Sequence, residues 1–396
     1  MNNGNRGCVA LSITAMAIID RILSEANIDY EIFLPDSLWM DSAKKKYVVD
    51  GFSVKYIPCR YYKGINRNTN IKLRINHFFG RCNYKETFQN ADFILDIGEG
   101  DSFSDIYGEK RFNLIDRIHI IANELHKPYC ILPQTIGPFK NKAIEKKAIK
   151  SINQATLCMV RDKQSYDYVC AIAPQQKSIK EYIDVAFFMP YKKMKYEEGH
   201  IHVGLNISAL LWNGGYTANN QFGLKDDYKN VIESIIVFFL AQPKIKLHLI
   251  AHVVGQERNV ENDYAVCYDL WREHNDPRIV LAPFALGPIE IKSYMSGLDF
   301  FMGARMHSTI GAFSSDVPVV PMAYSRKFNG LFEDTLDYHY MTDLKTQTKD
   351  EILSTIKDAF EKRMVLKEII RNRMDTVVKE REELLYDELR KFFKLA

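Results

Sequence analysis

The chain predicts an α/β fold in two tandem halves, and three observations carry that reading. From residue 28 onward, short apolar runs alternate with amphipathic segments, the pattern of parallel β-α units. The 396 residues suit two domains of about 150 to 200 residues each. A charged stretch with little apolar periodicity, YKKMKYEEGH at 191–200, divides the alternation into two series.

In the first series the strands are YEIFL, SVKYI, DFILDI, YCILP and TLCMV, with helical periodicity at 12–25, 112–126, 142–153 and 163–172. The second series has strands HVGLNI, LHLIAH, IVLAPF, DFFMGA and PVVPMAY, with helices near 228–241, 261–274, 287–297 and 306–315. From Lys349 the chain is densely charged, with apolar residues at helical spacing and no Pro or Gly. The expected organisation is an N-terminal domain at 1–190, a linker at 191–200, a C-terminal domain at 201–348, and terminal helices at 349–396 that pack back across the cleft. One feature departs from the scheme. MNNGNRGCVALSITAM reads as a glycine-containing loop feeding a helix, which in a doubly wound fold follows a first strand, yet no strand precedes it. Either the start lies upstream or the first strand is missing.

Composition narrows the class. With 46% hydrophobic and 26% charged residues and a net charge of +3, the chain is that of a globular protein. No apolar run approaches the roughly 20 residues of a membrane span, and no charged n-region followed by an apolar h-region is read at the N-terminus. Cytoplasm is the expected compartment. The 7 cysteines are widely spaced with no CxxC, so reduced core thiols are expected rather than disulfides or zinc. A pI near 8.3 is too mild to argue for nucleic acid but suits anionic small molecules or an anionic membrane surface. The basic aromatic stretch CRYYKGINRNTNIKLRINHFFGR, 59–81, is either a solvated loop or a contact to such a surface.

In parallel sheets the loops after the strands line the ligand crevice. GEGDSFSD (98–105) offers Gly98 and Gly100 for close backbone approach and Asp101, Ser102 and Asp105 as polar groups; an ordinary turn with an Asp or Ser cap is the competing reading. PQTIGPF contributes Gln134, and RDKQS places Arg161 at a strand end beside Asp162, either an ion pair with a helix cap or a ligand cation. Asn206 and Ser208 end the strand HVGLNI; His252 ends LHLIAH and can meet Asp263 across a loop. In ARMHS, Arg305 and His307 stand where a strand turns into a helix, so backbone N–H groups, the helix dipole and a guanidinium favour an anion. His307 would then serve as general acid, with Lys327 a second cation and Tyr324 a hydroxyl; the bland alternative pairs Arg305 with a structural carboxylate. The chain contains no GxxxxGK[ST], HExxH, GxSxG or complete GxGxxG after a strand, and no metal-ligand spacing.

Taken in order, NNGNRGC, GEGDSFSD, LPQTIGPF, VRDKQS, DVAF, VGLNIS, AHVVGQERNVEND and GARMHSTIGAFSSDVPVVPMAYSRKFNGLFED resemble the polysaccharide pyruvyl transferase family from residue 2 to about 334. The resemblance implies a fold like the GT-B glycosyltransferases, two Rossmann-like domains facing a cleft, the N-terminal one on the acceptor side and the C-terminal one holding the donor site. It implies transfer of pyruvate from phosphoenolpyruvate to two hydroxyls of one sugar as a cyclic ketal, in bacterial surface polysaccharide synthesis. Arg305, Met306 (through its backbone) and His307 would line the donor site, and Arg161 would be the arginine of the facing domain. Gly98, Gly100, Ser102, Gln134, Asn206, Ser208, His252, Tyr324 and Lys327 would line substrate, with Asp101 as base. The partners implied are phosphoenolpyruvate and a sugar acceptor, lipid-linked or not, at the inner face of the membrane, with no cofactor, metal or nucleic acid. Glu99 interrupts the family's glycine triplet. Two other readings stay open: a GT-B nucleotide-sugar glycosyltransferase, and a non-catalytic sugar- or anion-binding protein on the same scaffold.

Overall fold

Continuous apolar runs become strands covered on both faces, and the chain gathers them into two compact units. The first comprises Leu11–Val185 with Glu380–Ala396; the second comprises Asn3–Ala10 with Ala186–Lys379. The computed structural model describes residues 4–36, 45–49, 52–60, 84–100, 103–255 and 257–395.

The first unit begins within α1 (Arg6–Glu25), followed by β1 (Phe33–Asp36), β2 (Lys45–Val49), β3 (Phe52–Arg60) and α2 (Tyr84–Asn90). β3 pairs parallel with β1 and antiparallel with β2, a strand the sequence reading did not include. Then β4 (Ile94–Asp96), α3 (Glu109–Glu124), β5 (Tyr129–Gln134), α4 (Lys142–Gln154), β6 (Leu157–Val160), α5 (Lys163–Ile172) and β7 (Ile179–Glu181) form a parallel sheet in the order β4-β5-β6-β7. Every residue of β5 and β6 is buried, as the unbroken apolar runs require. Asn141 caps α4 by accepting from the Ala143 and Ile144 N–H groups, and Asp162 caps α5 by accepting from the Ser165 N–H, so the cap reading of Asp162 is the one realised.

The second unit contains β8 (Ile201–Asn206), α6 (Tyr228–Leu240), β9 (Ile245–Ile250), α7 (Asp263–His274), β10 (Ile279–Leu281), α8 (Pro288–Met295), β11 (Phe300–Gly303), α9 (Met306–Phe313), β12 (Val319–Ala323) and β13 (Thr342–Asp343). All its pairings are parallel, in the order β10-β9-β8-β11-β12-β13. Counted from β8, this is the doubly wound order 3-2-1-4-5-6, whose reversal falls between β8 and β11.

Several expectations change here. Segment 191–200 is no free linker: the Lys192 and Met194 N–H groups each donate to a serine Oγ on α8 or its end (Ser293, Ser296) at 3.0 Å, and Tyr196 stacks on His202. The division falls at Val185/Ala186, and the buried Lys292 ammonium just beyond it donates to the Phe187 and Met189 carbonyls at 3.2 and 2.8 Å. The terminal helices also divide. α10 (Lys349–Glu361) and α11 (Arg363–Arg373) belong to the second unit, whereas α12 (Lys379–Phe392) belongs, from Glu380, to the first, where Arg381 donates to the Glu181 carbonyl at 2.5 Å. No strand precedes α1 among the described residues.

Against the sequence reading, α1 is long and apolar enough, by length and composition, to cross a membrane, and 56% of its most apolar window is buried inside the fold. Leu11, Ile13, Met16, Ile18 and Ile22 pack in the core, which is why the run is apolar. Cys8, Cys130, Cys158, Cys170 and Cys267 form no disulfide among the described residues. Of the basic aromatic stretch, 61–81 lies outside the described residues.

Candidate functional site

The reversal of strand order in the second unit leaves a crevice beyond the carboxyl ends of β8 and β11, and Asn206 and Arg305 stand there. Asn206 is fully buried. Its Oδ1 accepts from the Arg305 N–H at 2.9 Å and its Nδ2 donates to the Ile250 carbonyl at 2.9 Å, so one amide ties the ends of β8, β9 and β11 together. Both ends of that side chain are committed to backbone, which makes Asn206 a brace for the crevice.

Arg305 pairs with Asp263, the first residue of α7. Nη2 donates to Asp263 Oδ1 at 2.8 Å and to the Glu261 carbonyl at 3.2 Å, and Nε donates to Asp263 Oδ2 at 3.2 Å. Burial by itself lowers the guanidinium pKa, but Asp263 outweighs it and raises the pKa, so the charge is permanent. Asp263 is fully buried and also accepts from the backbone N–H groups of Ala209, His252 and Val253. The bland reading of Arg305 thus names a contact that exists. That contact occupies only one edge of the guanidinium, since Nη1 makes no hydrogen bond among the described residues. Asp263 was legible as a polar residue near His252, but nothing in its sequence context marked it as the partner of Arg305.

His307 is the second residue of α9, half-buried at the helix N-terminus. Against it lies the N-terminal arm. Asn5 bridges to Val253, the Val254 N–H donates to Gly4 O at 2.8 Å, and the Arg6 N–H donates to His252 O at 3.1 Å. The Arg6 guanidinium reaches the Ala251 and Phe284 carbonyls at 2.5 and 2.9 Å, and burial pulls its pKa down to about 10 against the attraction of Asp263 and Glu290. A Cβ on Gly7 would stand 2.4 Å from His307 Nδ1, which explains the glycine in NNGNRGC: the arm must approach the imidazole closely. This arm belongs to the second unit and completes the surroundings of His307, a role that its expected place after a first strand did not suggest.

His252 closes the cluster. Only 4% exposed, it is held uncharged because burial, then His307, Arg6 and Arg305, push its pKa well below the ordinary value. Among the described residues neither of its ring nitrogens has a hydrogen-bond partner. Met306 is buried as the first residue of α9, its carbonyl accepting from Thr309 Oγ1 at 2.7 Å. Ser208 is buried beside Tyr228, its N–H donating to the Tyr228 hydroxyl at 3.2 Å. Tyr324 lies within electrostatic reach of Arg305, and the Lys327 ammonium sits 5.8 Å from the Tyr324 ring centroid. Arg305, Met306, His307, His252, Asn206, Ser208, Tyr324 and Lys327 therefore share the second unit. Among the described residues no group of three His, Cys, Asp or Glu side chains is arranged to hold a metal.

The first unit holds the remaining candidates. Asp101 and Ser102 lie outside the described residues. Asp96, at the end of β4, accepts from the Gly98 N–H at 3.1 Å and from Gln134 Nε2 at 3.2 Å. Gly98 adopts φ +50°, and a Cβ there would fall 1.8 Å from Gln134 Oε1; the Thr135 N–H donates to Gly100 O at 2.8 Å. Asp105 accepts from the Lys140 and Asn141 N–H groups at 2.7 Å each. Arg161 is 1% exposed and bonds to Asp184 Oδ2 at 2.7 Å and Thr135 Oγ1 at 2.8 Å, so its pair is Asp184 of DVAF and not the adjacent Asp162.

The sequence reading missed His119. It is fully buried, with Nε2 3.1 Å from Asp96 Oδ2 and Nδ1 3.4 Å from Asp116 Oδ1. Burial alone lowers its pKa, but Asp116 and Asp96 outweigh that and raise it to about 9. The available signal was Asp116 and His119, i and i+3, on the buried stripe of α3 in NLIDRIHIIAN. Because the folded pKa exceeds the unfolded one, this stabilisation is fully present below about pH 6.5 and is lost as pH rises through about 9. In denaturant titrations the advantage of the wild type over His119→Gln should shrink by ~3 kcal/mol between those limits. An advantage that does not change with pH would overturn the ion-pair assignment.

With this geometry established, comparison places the chain. A search of curated protein sequences gives no match. Among solved structures, a UDP-N-acetylglucosamine 2-epimerase matches over 97% of this chain and 93% of its own, at 13% identity and a TM-score of 0.57. The sucrose-phosphate synthase of Thermosynechococcus elongatus matches over 95% and 92%, at 10% identity and 0.57. Staphylococcus aureus MnaA, solved with UDP, matches over 85% of each chain, at 10% identity and 0.55. At such identities these likenesses speak for the fold, which is of the GT-B type. The family model for polysaccharide pyruvyl transferases matches residues 5–326, from the arm that touches His307 to the turn after β12, and the chain belongs to that family.

Proposed function

We propose that the protein transfers pyruvate from phosphoenolpyruvate to two hydroxyls of one sugar, forming a cyclic ketal and releasing phosphate. The observation that carries this reading is the cluster at the β8/β11 switch point: Arg305 with one guanidinium nitrogen uncommitted among the described residues, His307 at a helix N-terminus, and the buried, uncharged His252 beside them. Two anionic groups on one small donor suit such a place, the guanidinium taking one and the α9 N-terminus the other.

Each bond has an assignment. His307 in its protonated form delivers a proton to the methylene carbon, which becomes the methyl group, while a sugar hydroxyl attacks C2. The imidazole recovers a proton from that hydroxyl. The C2–O bond to phosphate then breaks, the second hydroxyl bonds to C2, and its proton leaves with the phosphate. The positive charge that develops at C2 is stabilised by the adjacent donor carboxylate. Cytoplasmic placement beside a membrane-borne glycan follows from where phosphoenolpyruvate is available and forms part of this proposal.

The test is incubation of the full chain with phosphoenolpyruvate and candidate lipid-linked glycans, read by mass spectrometry. The expected product is the acceptor plus pyruvate less water, with one phosphate released per product. Glycan extended by a sugar from a UDP-sugar, with phosphoenolpyruvate unused, would replace this reading with glycosyl transfer.

A further inference from the structure

The crossover after β8 contains a loop, WNGGYTANNQFGLKD at 212–226, that no motif explained. Five residues between 214 and 223 take positive φ: Gly214, Gly215, Ala218, Asn220 and Gly223. A loop so tightly turned is held by its own bonds. Gly215 N–H donates to Leu210 O at 2.8 Å, Gln221 N–H to Gly214 O at 3.0 Å, and Tyr216 N–H to Gln221 Oε1 at 2.7 Å; Asn220 and Leu224 bond reciprocally at 2.7 and 2.8 Å. Tyr216 projects from this rigid frame at 53% exposure.

Its surroundings connect it to the site. The Tyr216 hydroxyl donates to Glu261 Oε1 at 2.5 Å, while the Glu261 backbone carbonyl accepts from Arg305 Nη2 at 3.2 Å. Tyr324 lies within electrostatic reach of both Tyr216 and Arg305, and Phe222 of the same loop packs edge-on against Tyr324 at 5.3 Å. Two half-buried aromatic rings, Phe222 and Tyr324, thus pack together near one exposed ring, and a half-buried carboxylate with Oε2 uncommitted among the described residues stands beside it.

We propose that Tyr216, with the Tyr324–Phe222 pair near it, forms the wall on which a pyranose acceptor lies, with Glu261 Oε2 accepting a hydrogen bond from one sugar hydroxyl. The proposal rests on the transfer reading for the identity of the site. A pyranose has one apolar C–H face and a rim of hydroxyls, which match an aromatic face and a carboxylate acceptor. A nucleoside diphosphate would instead bring its negative charge against Glu261. The ordered loop keeps the cost of binding low, since little side-chain or backbone freedom remains to be lost.

The experiment is saturation-transfer NMR on the full chain with methyl glucoside, galactoside and mannoside as probes, UDP as a control, and a parallel titration with phosphoenolpyruvate followed by phosphorus NMR. Saturation should reach the C–H protons of at least one pyranoside. Its affinity should fall about tenfold in Tyr216→Ala, ~1.4 kcal/mol, survive in Tyr216→Phe, and weaken in Glu261→Gln, with phosphoenolpyruvate binding within twofold of wild type throughout. No transfer to any pyranoside, equal transfer in Tyr216→Ala, or Tyr216-dependent binding of UDP alone would overturn the platform. Tyr216-dependent pyranoside binding in a protein that does not bind phosphoenolpyruvate would retain the platform and sink the transfer reading.

Discussion

His307→Ala should lose about 10²- to 10⁴-fold in phosphoenolpyruvate-dependent phosphate release, the usual worth of a general acid, with its melting curve unchanged. The two halves of that expectation come from different facts. The imidazole stands at a helix N-terminus beside Arg305, where a donor anion would bring the enol carbon to it. It is also only half-buried, so its removal opens no sealed cavity. Phosphate release measured with acceptor present checks the first half and thermal unfolding the second. A variant that turns over at the wild-type rate would remove His307 from the chemistry. Arg305 is a poorer probe, because Arg305→Ala strands the buried Asp263 charge and mixes instability with lost binding.

Asp263→Ala should carry the largest stability cost in the second unit, ~3 to 5 kcal/mol, the range for removing one partner of a buried ion pair. Three backbone N–H groups, those of Ala209, His252 and Val253, lose their acceptor together with the Arg305 guanidinium. Those groups belong to the segments after β8 and β9, so one carboxylate holds the crevice in shape. Activity should fall with stability, and the double variant Arg305→Ala/Asp263→Ala should be less destabilised than the sum of the singles, because the second change removes a charge already unpaired. Urea unfolding of the four proteins closes the cycle. Additive costs, or an Asp263→Ala protein within ~1 kcal/mol of wild type, would show that the pair does not brace the site.

Much of this architecture was readable in advance. The strand runs around 94, 130, 158, 203, 248, 280, 301 and 320 and the helices between them follow from continuous apolar runs and period-3.6 patterning, which are local. β2, β7 and β13 were missed: they are five, three and two residues long, and β2 pairs antiparallel in an otherwise parallel scheme. β7 and β13 offer too few residues for a pattern to register, and all three strands owe their geometry to the neighbour they bond. Segment 191–200 looked like a linker because its apolar residues are few, yet Tyr196 and two backbone N–H groups suffice to dock it.

The sequence alone determined which residues carry charge at strand ends, that Arg305 and His307 start a helix after a buried strand, and that an anion would suit them. Only the tertiary structure decided what faces those groups. Asp263 reached Arg305 from 42 positions away, Asp184 took Arg161 in place of the adjacent Asp162, and the glycine arm arrived at His307 from the opposite end of the chain. Spacing along a chain reports the face a side chain occupies. The partner on that face is set by strand order, and strand order is chosen by the burial of the whole sheet.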